Sequence, residues 1–233
     1  MSEITLPKKI IKATRKSPGK LVIYSSPKTG KTTQLAALEN NLILDLEKGT
    51  HFVDALKIEV NSLKELYEVG NTIKKEGKPY KYISLDTATK LEEWCEEYAT
   101  NLYKQTPIGK NFKGKSVLEL PNGGGYHYLR QAFVFWLNFV TELADNVIFV
   151  CHLKDKFISN KRGEEVAAKD LDLTGKIRNI IAAGADAIGY MYRGENSNLR
   201  ISFTTSDEVV CGSRTKHLAG QDFEFSWDKI YID

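Results

Sequence analysis

The stretch from Leu21 to Thr32 constrains this chain more than any other. Leu21-Val22-Ile23-Tyr24 is a short apolar run bounded by turn residues, which predicts a strand buried on both faces. Ser25-Ser26-Pro27-Lys28-Thr29-Gly30-Lys31-Thr32 follows it, and a helical pattern opens at Lys31 and runs to about Leu38. A strand, a loop of this composition and a helix form a phosphate cradle. Backbone N–H groups curl around the anion and the helix N-terminus adds a favourable dipole. Lys31 is expected between the β- and γ-phosphates, the Thr32 hydroxyl on Mg²⁺, and Thr33 at the α-phosphate. Lys28 either adds charge near the γ-phosphate or faces solvent. The strict pattern begins with Gly, where this chain has Ser25. Serine is only slightly larger, so the loop is expected to keep its shape.

Strand-like runs alternate with helical ones along the rest of the chain. Leu42-Ile43-Leu44 reads as a second buried strand and residues 57–60 as a short third. Ser62 and Glu65 have capping-box spacing and open a helix to about Lys75. Residues 80–86 read as a strand. Leu91, Trp94, Cys95, Tyr98 and Leu102 place a helix over 88–103, with Glu92, Glu93, Glu96 and Glu97 as its solvated side. A long apolar helix is expected over 126–143, a buried strand over 147–151, a charged loop to about Leu173, and a helix near 175–183. Strand-like runs at 187–192, 199–204 and 223–227 close the chain. The alternation predicts an α/β fold with a mainly parallel central sheet flanked by helices, and the late strands an antiparallel extension at one edge. Residues 1–20 read as a basic lead-in and 21–233 as one core domain.

Three strand ends carry polar residues, and in such sheets ligands gather at the carboxyl ends of strands. Asp86 follows Tyr82-Ile83-Ser84-Leu85 and is the natural carboxylate behind Mg²⁺, with a helix cap as its other role. Glu47 ends the second strand, where a carboxylate orients an attacking water or is a surface loop residue. His152 ends the 147–151 strand, beside the expected phosphates.

These positions, in this order, resemble the RecA family. Asp45-x-Glu47 looks like the family's strand end whose glutamate positions the hydrolytic water, and Asp86 like its Walker-B aspartate. The 147–154 segment is similar to its sensor strand, with His152 where the family often has Gln. Arg214-Thr215-Lys216 looks like the paired basic residues that reach a neighbouring protomer's γ-phosphate. The resemblance covers residues 20–227, and the absence of an obvious extra domain is similar to the minimal phage branch of recombination and annealing proteins. It implies ATP and Mg²⁺ as cofactors, DNA-dependent ATP hydrolysis, and further copies of the chain as partners, in a filament or ring. It also implies single-stranded DNA and a single-strand binding protein as partners, in the cytoplasm of a host cell.

Two loops answer to the family's DNA contacts. Residues 101–118 hold Lys104, Lys110, Lys113 and Lys115 without an acid, with Phe112 interleaved. Lysines track phosphates while rings stack on bases. The second loop carries Lys154, Lys156, Lys161 and Arg162, diluted by five acids. The net charge is only +3, so any nucleic-acid footprint rests on such local clustering. Cys95, Cys151 and Cys211 are far apart and suggest neither a zinc site nor a disulfide framework. The most apolar segment, 132–137, is shorter than the roughly 20 residues of a membrane span. Two alternatives stand beside the ATPase: an annealing module with little need of ATP turnover, and a small-molecule P-loop kinase. The latter is disfavoured by the lack of an arginine-rich lid.

Overall fold

A computed structural model describes residues 6–159 and 165–232. The chain order is β1 (Lys20–Ser25), α1 (Lys31–Ala36), β2 (Asn41–Asp45), β3 (Leu56–Glu59), α2 (Leu63–Lys75), β4 (Tyr82–Asp86), α3 (Ala88–Gln105) and α4 (Gly125–Thr141). There follow β5 (Asn146–Ser159), β6 (Glu165–Leu171), α5 (Gly175–Gly184), β7 (Ala187–Arg193), β8 (Leu199–Ser202), β9 (Gly212–Ser213), β10 (Asp222–Glu224) and α6 (Trp227–Ile230).

The sheet runs β10-β8-β7-β1-β5-β4-β2-β3. From β7 to β3 every pairing is parallel, while β8 and β10 are added antiparallel. The fold is thus α/β, with a mainly parallel sheet and an antiparallel edge. Period-two alternation explains why helices cover both faces. Val22 and Tyr24 of β1 join Leu44, Leu85 and Phe149 under α2, α3, α4 and α5, through Leu66, Leu91, Phe133 and Ile177. Leu21 and Ile23 join Ile43, Ile148 and Val150 under α1 and the C-terminal segment, through Leu35, Leu218 and Ile230. A side chain such as Phe133, fully buried, contributes about 1.5–3 kcal/mol.

Helix starts follow the sequence signals. Ser62 Oγ accepts the Glu65 N–H at 3.2 Å, and the Glu65 carboxylate accepts the Asn61 N–H. Two expectations need correction. The stretch after residue 151 is not a charged loop: β5 continues to Ser159 and β6 returns antiparallel to it, from Leu153↔Leu171 to Ser159↔Glu165. Cross-strand ion pairs hold that hairpin, Lys156–Asp170 at 2.6 Å and Lys169–Asp155 at 3.5 Å. Nor is the acidic side of α3 wholly solvated. Glu92 is buried, and its carboxylate accepts the Thr174 N–H ahead of α5. Burial raises the Glu92 pKa. Among the described residues, no helix is long and apolar enough to cross a membrane.

Candidate functional site

Parallel register brings four strand ends to one edge. Ser25 pairs with His152, Asp45 with Asp86, and Asp86 with Val150. The loop after β1 leads through Gly30 (φ 114°), a conformation that favours glycine, into α1. Around it lies a cleft of about 360 Å³, lined by Lys28, Lys31, Thr32, Glu47, Asp86 and His152 among others. Ser26 and Thr29 brace the loop from within, through Thr29 Oγ1 to the Ser26 carbonyl at 2.8 Å.

Lys31 is nearly buried and folds back over the loop. Its ammonium donates to the Ser25 carbonyl (3.2 Å), the Ser25 hydroxyl (3.0 Å) and the Ser26 carbonyl (3.1 Å). Desolvation lowers its pKa, against the pull of Asp86 and Glu47. The Ser25 side chain, fully buried, therefore has a use: it is one of three acceptors for the lysine.

Asp86 is 5% exposed and accepts the Thr32 hydroxyl at 2.8 Å. Burial pushes its carboxyl up to about 6, helped by the nearby charges of Glu47 and Asp45. A buried carboxylate next to a hydroxyl at the start of a helix offers the oxygen donors that a hard divalent cation takes. The helix-capping role falls instead to Thr87, whose hydroxyl accepts the Lys90 N–H.

Glu47 stands across the cleft. Its Oε1 accepts the Thr87 hydroxyl at 2.7 Å and faces His152 Nε2 at 3.0 Å. Burial raises its pKa, but the hydrogen bonds from His152 and Thr87 outweigh this and hold it below the usual carboxylate range. The same contact raises His152. His152 Nδ1 is buried and, among the described residues, has no hydrogen-bond partner; the neutral ring therefore keeps its proton on Nε2, facing Glu47. Asp45 shapes the turn that presents Glu47. Its two oxygens accept the N–H groups of Glu47, Gly49 and Thr50 and the Thr50 hydroxyl.

Other sequence candidates lie elsewhere. Arg214 and Lys216 sit beside Asp186, which precedes β7, at the end of the sheet opposite the phosphate loop. Lys104, Lys110, Lys113 and Lys115 are exposed, whereas the Phe112 ring packs edge-on against Tyr103 at 5.4 Å. Lys154 and Lys156 pair with Asp172 and Asp170 on the hairpin. Lys161 and Arg162 lie outside the described residues. Two neighbours of the cleft had no sequence motif: Thr87, and Arg193 at the end of β7, whose guanidinium donates to the Thr29 carbonyl at 3.0 Å. The step from Asp86 to a hydroxyl residue opening a helix was the available signal for Thr87; a basic residue ending a strand beside the loop was that for Arg193.

Residues 17–215 match the AAA_24 family, described as an AAA domain, and the chain belongs to that family. Its fold is also similar to the crystal structure of the RadB recombinase, at 12% identity over 92% of this chain and 90% of that one, with a TM-score of 0.44. No curated protein matches the chain. An AAA-type domain with this cleft is a nucleotide-binding domain of the ATPase class.

Proposed function

We propose that this protein binds ATP with Mg²⁺ in the cleft, hydrolyses it, and works as an oligomer on single-stranded DNA in phage-type recombination or annealing. The observation that carries hydrolysis is the Glu47 carboxylate. It is ionised, held by Thr87 and His152, and faces the Lys31–Thr32–Asp86 wall across the cleft. Lys31 would exchange part of its hold on Ser25 and Ser26 for phosphate oxygens, with the backbone of residues 26–33 wrapping the phosphate chain. Thr32 and Asp86 would hold Mg²⁺, which supplies charge neutralisation on the phosphates. Glu47 orients a water for attack, and His152, through Nε2, sets the carboxylate's position. Arg214 and Lys216 are on the far end of the sheet, so any part they take in the reaction comes from a neighbouring copy. A cation supplied in trans raises phosphoryl transfer by about 10³–10⁵.

Exposed Lys104, Lys110, Lys113 and Lys115 support a DNA contact on the loop between α3 and α4; the Phe112 ring serves that loop as a packing anchor. The deciding experiment measures ATP hydrolysis with and without single-stranded DNA over a range of protein concentrations, for wild type and Lys31→Ala. Stimulation by DNA and a rate per protomer that rises with concentration are expected, both abolished in Lys31→Ala. Annealing that survives Lys31→Ala would favour the annealing module. Phosphate transfer to a small acceptor without response to DNA would favour a kinase.

A further inference from the structure

The phosphate loop has a strand on each side. β5 flanks β1 on one side and ends its parallel pairing at Ser25↔His152; β7 flanks it on the other and pairs as far as Tyr24↔Tyr190. Beyond that pair, at the end of β7, stands Arg193. Ala187 and Met191 pack into the cluster beneath α1, and period-two alternation puts Arg193 on that same face. An exposed guanidinium is thereby brought to the side of the loop away from β5.

Its two terminal nitrogens are divided between two carbonyls. Nη2 donates to the Thr29 carbonyl and Nη1 to the Ser197 carbonyl, both at 3.0 Å. The Ser197 end is itself fixed. In the turn between β7 and β8, the Gly194 N–H donates to the Asn198 carbonyl and the Ser197 N–H to the Gly194 carbonyl, both at 2.9 Å. The guanidinium therefore ties the loop to a braced turn. A Cβ at Gly30 would come 3.4 Å from Nη2, so the arginine lies against the Thr29–Gly30 peptide.

A trans peptide is a rigid plane whose carbonyl and N–H point in opposite directions. With the Thr29 carbonyl turned toward Arg193, the Gly30 N–H turns the other way, and Gly30 lines the cleft. Turning the plane over would exchange the two, so that a carbonyl faced the phosphates and repelled them. Such a flip changes ψ at Thr29 and φ at Gly30, and glycine accepts values of φ that other residues do not. Gly30, at φ 114°, gives the loop its shape and leaves this freedom open. The arginine closes it.

We propose that Arg193 is a positioning residue for the phosphate chain, which holds the Thr29–Gly30 peptide in its anion-accepting orientation. This role rests on the reading of the cleft as a nucleotide site, and on neither hydrolysis nor DNA. Loop N–H groups cradle the inner phosphates, so every ligand with a phosphate chain depends on the lock, whatever that chain is attached to.

The test is calorimetric titration of wild type, Arg193→Met and Arg193→Lys with ATP, ADP and tripolyphosphate in the presence of Mg²⁺. Methionine keeps an apolar stem and removes both donors, while lysine can still reach one carbonyl. All three ligands should lose about tenfold in affinity, by a common factor, in Arg193→Met and regain part of it in Arg193→Lys. Unchanged affinity for all three overturns the proposal. Loss confined to ATP would place the guanidinium on the γ-phosphate, and loss of the nucleotides with tripolyphosphate unmoved would place it on the nucleoside; either overturns the positioning role. Arg193 is exposed, so the melting curve of the ligand-free protein should stay close to that of wild type; were Arg193→Met unstable, Arg193→Gln supplies the same comparison. Where ATP is turned over, KM should rise by the same factor with kcat within a few-fold, and a fall in kcat alone would make Arg193 a transition-state contact instead. Wild type that binds none of the three ligands refutes the nucleotide reading itself, whereas equal binding by wild type and variant refutes only the role of Arg193.

Discussion

Removing the Ser25 hydroxyl should weaken the nucleotide-free protein and strengthen its hold on nucleotide. In the cleft, the three protons of Lys31 go to three acceptors, one of them Ser25 Oγ at 3.0 Å. A phosphate chain must take at least one of those protons, and the hydroxyl is the acceptor most easily given up, since its own proton already goes to the Ser26 carbonyl. A hydrogen bond to a charged donor contributes about 1.5–3 kcal/mol. Taking the low end, because Ser25 is one acceptor of three, Ser25→Ala should cost the nucleotide-free protein about 1.5 kcal/mol. If the bond is surrendered on binding, the loaded protein is unaffected and affinity rises by the same free energy, about tenfold at most. Alanine is preferred to glycine because it keeps the Cβ and adds no backbone freedom at the strand end. Urea unfolding with and without saturating nucleotide, together with calorimetric titration, reads both quantities. Affinity that falls, or a destabilisation equal in the free and loaded forms, would refute the reasoning: Lys31 would then keep Ser25 in both states.

Four further outcomes follow from the same geometry. Glu47→Gln should lower ATP hydrolysis by about 10²–10⁴ while leaving nucleotide affinity within a few-fold; a parallel fall in binding in the same titration would place Glu47 in ground-state contact instead. The Glu47–His152 pair gives a pH signature. His152, raised above 6.5, stabilises fully below that value and its contribution fades as pH rises through its folded pKa; Glu47, lowered below 4.5, stabilises above that value and its contribution fades as pH falls through its folded pKa. The stability difference between wild type and His152→Gln should therefore be largest between about pH 4.5 and 6.5 and shrink toward pH 9, and urea melts showing the reverse trend would contradict the pairing. Gly70→Ala should destabilise by about 1–3 kcal/mol despite the better helix former, since the added methyl would lie 2.5 Å from the Phe139 ring; a higher melting temperature would show that Phe139 moves aside freely. For single-stranded DNA, neutralising Lys110, Lys113 and Lys115 together should flatten the salt dependence of binding by about 0.7 for each phosphate no longer neutralised, and an unchanged slope excludes that loop.

The inner strands β1, β2 and β4 are legible in the sequence because they are buried on both faces. Leu21–Tyr24, Leu42–Leu44 and Tyr82–Leu85 are apolar runs ended by polar residues, and those polar ends are where the cleft forms. Parallel pairing then sets the register, which is why the strand-end pattern alone groups Lys31, Glu47, Asp86 and His152. The hairpin β5–β6 is hidden for the opposite reason. Lys154, Asp155, Lys156, Lys169 and Asp170 look like a solvated loop by charge, yet their charges are complementary across the ladder and support the pairing. Charge spacing on a helix does not reveal a single buried acceptor, which is what Glu92 provides for the Thr174 N–H. Interleaving with lysines suggests a stacking ring at Phe112, whereas its packing on Tyr103 is not visible from a spacing of nine residues. Arg15 and Lys16 line one cavity with Arg214 and Lys216 where Ser17 meets Ile232, a pair separated by 215 positions.

The continuity of β5 links the cleft to the rest of the molecule. Its residues Val147 to His152 pair with β1, from Lys20↔Val147 to Ser25↔His152, and from Leu153 onward the same strand pairs with β6. His152 is thus the last residue locked to the phosphate-loop strand and the neighbour of the first residue of the hairpin. Its backbone N–H donates to the Thr89 hydroxyl at 3.2 Å and its carbonyl accepts the Asp172 N–H at 2.9 Å, so the residue is fixed from α3 on one side and from the end of β6 on the other. A side chain anchored in this way has little freedom to follow Glu47 without carrying its strand. Whatever rearranges the Glu47 carboxylate when phosphate enters or leaves the cleft must therefore either break the 3.0 Å hydrogen bond with Nε2 or shift the root of the hairpin. A β-ladder transmits such a shift along its length because its hydrogen bonds fix neighbouring residues together, and Lys156–Asp170–Arg178 carries it on to α5. His152→Ala would cut the link at its first joint: amide exchange in residues 153–159 and 165–171 that responds to nucleotide in wild type should stop responding in the variant, while a response that persists would route the coupling through Thr89 or Asp172 instead.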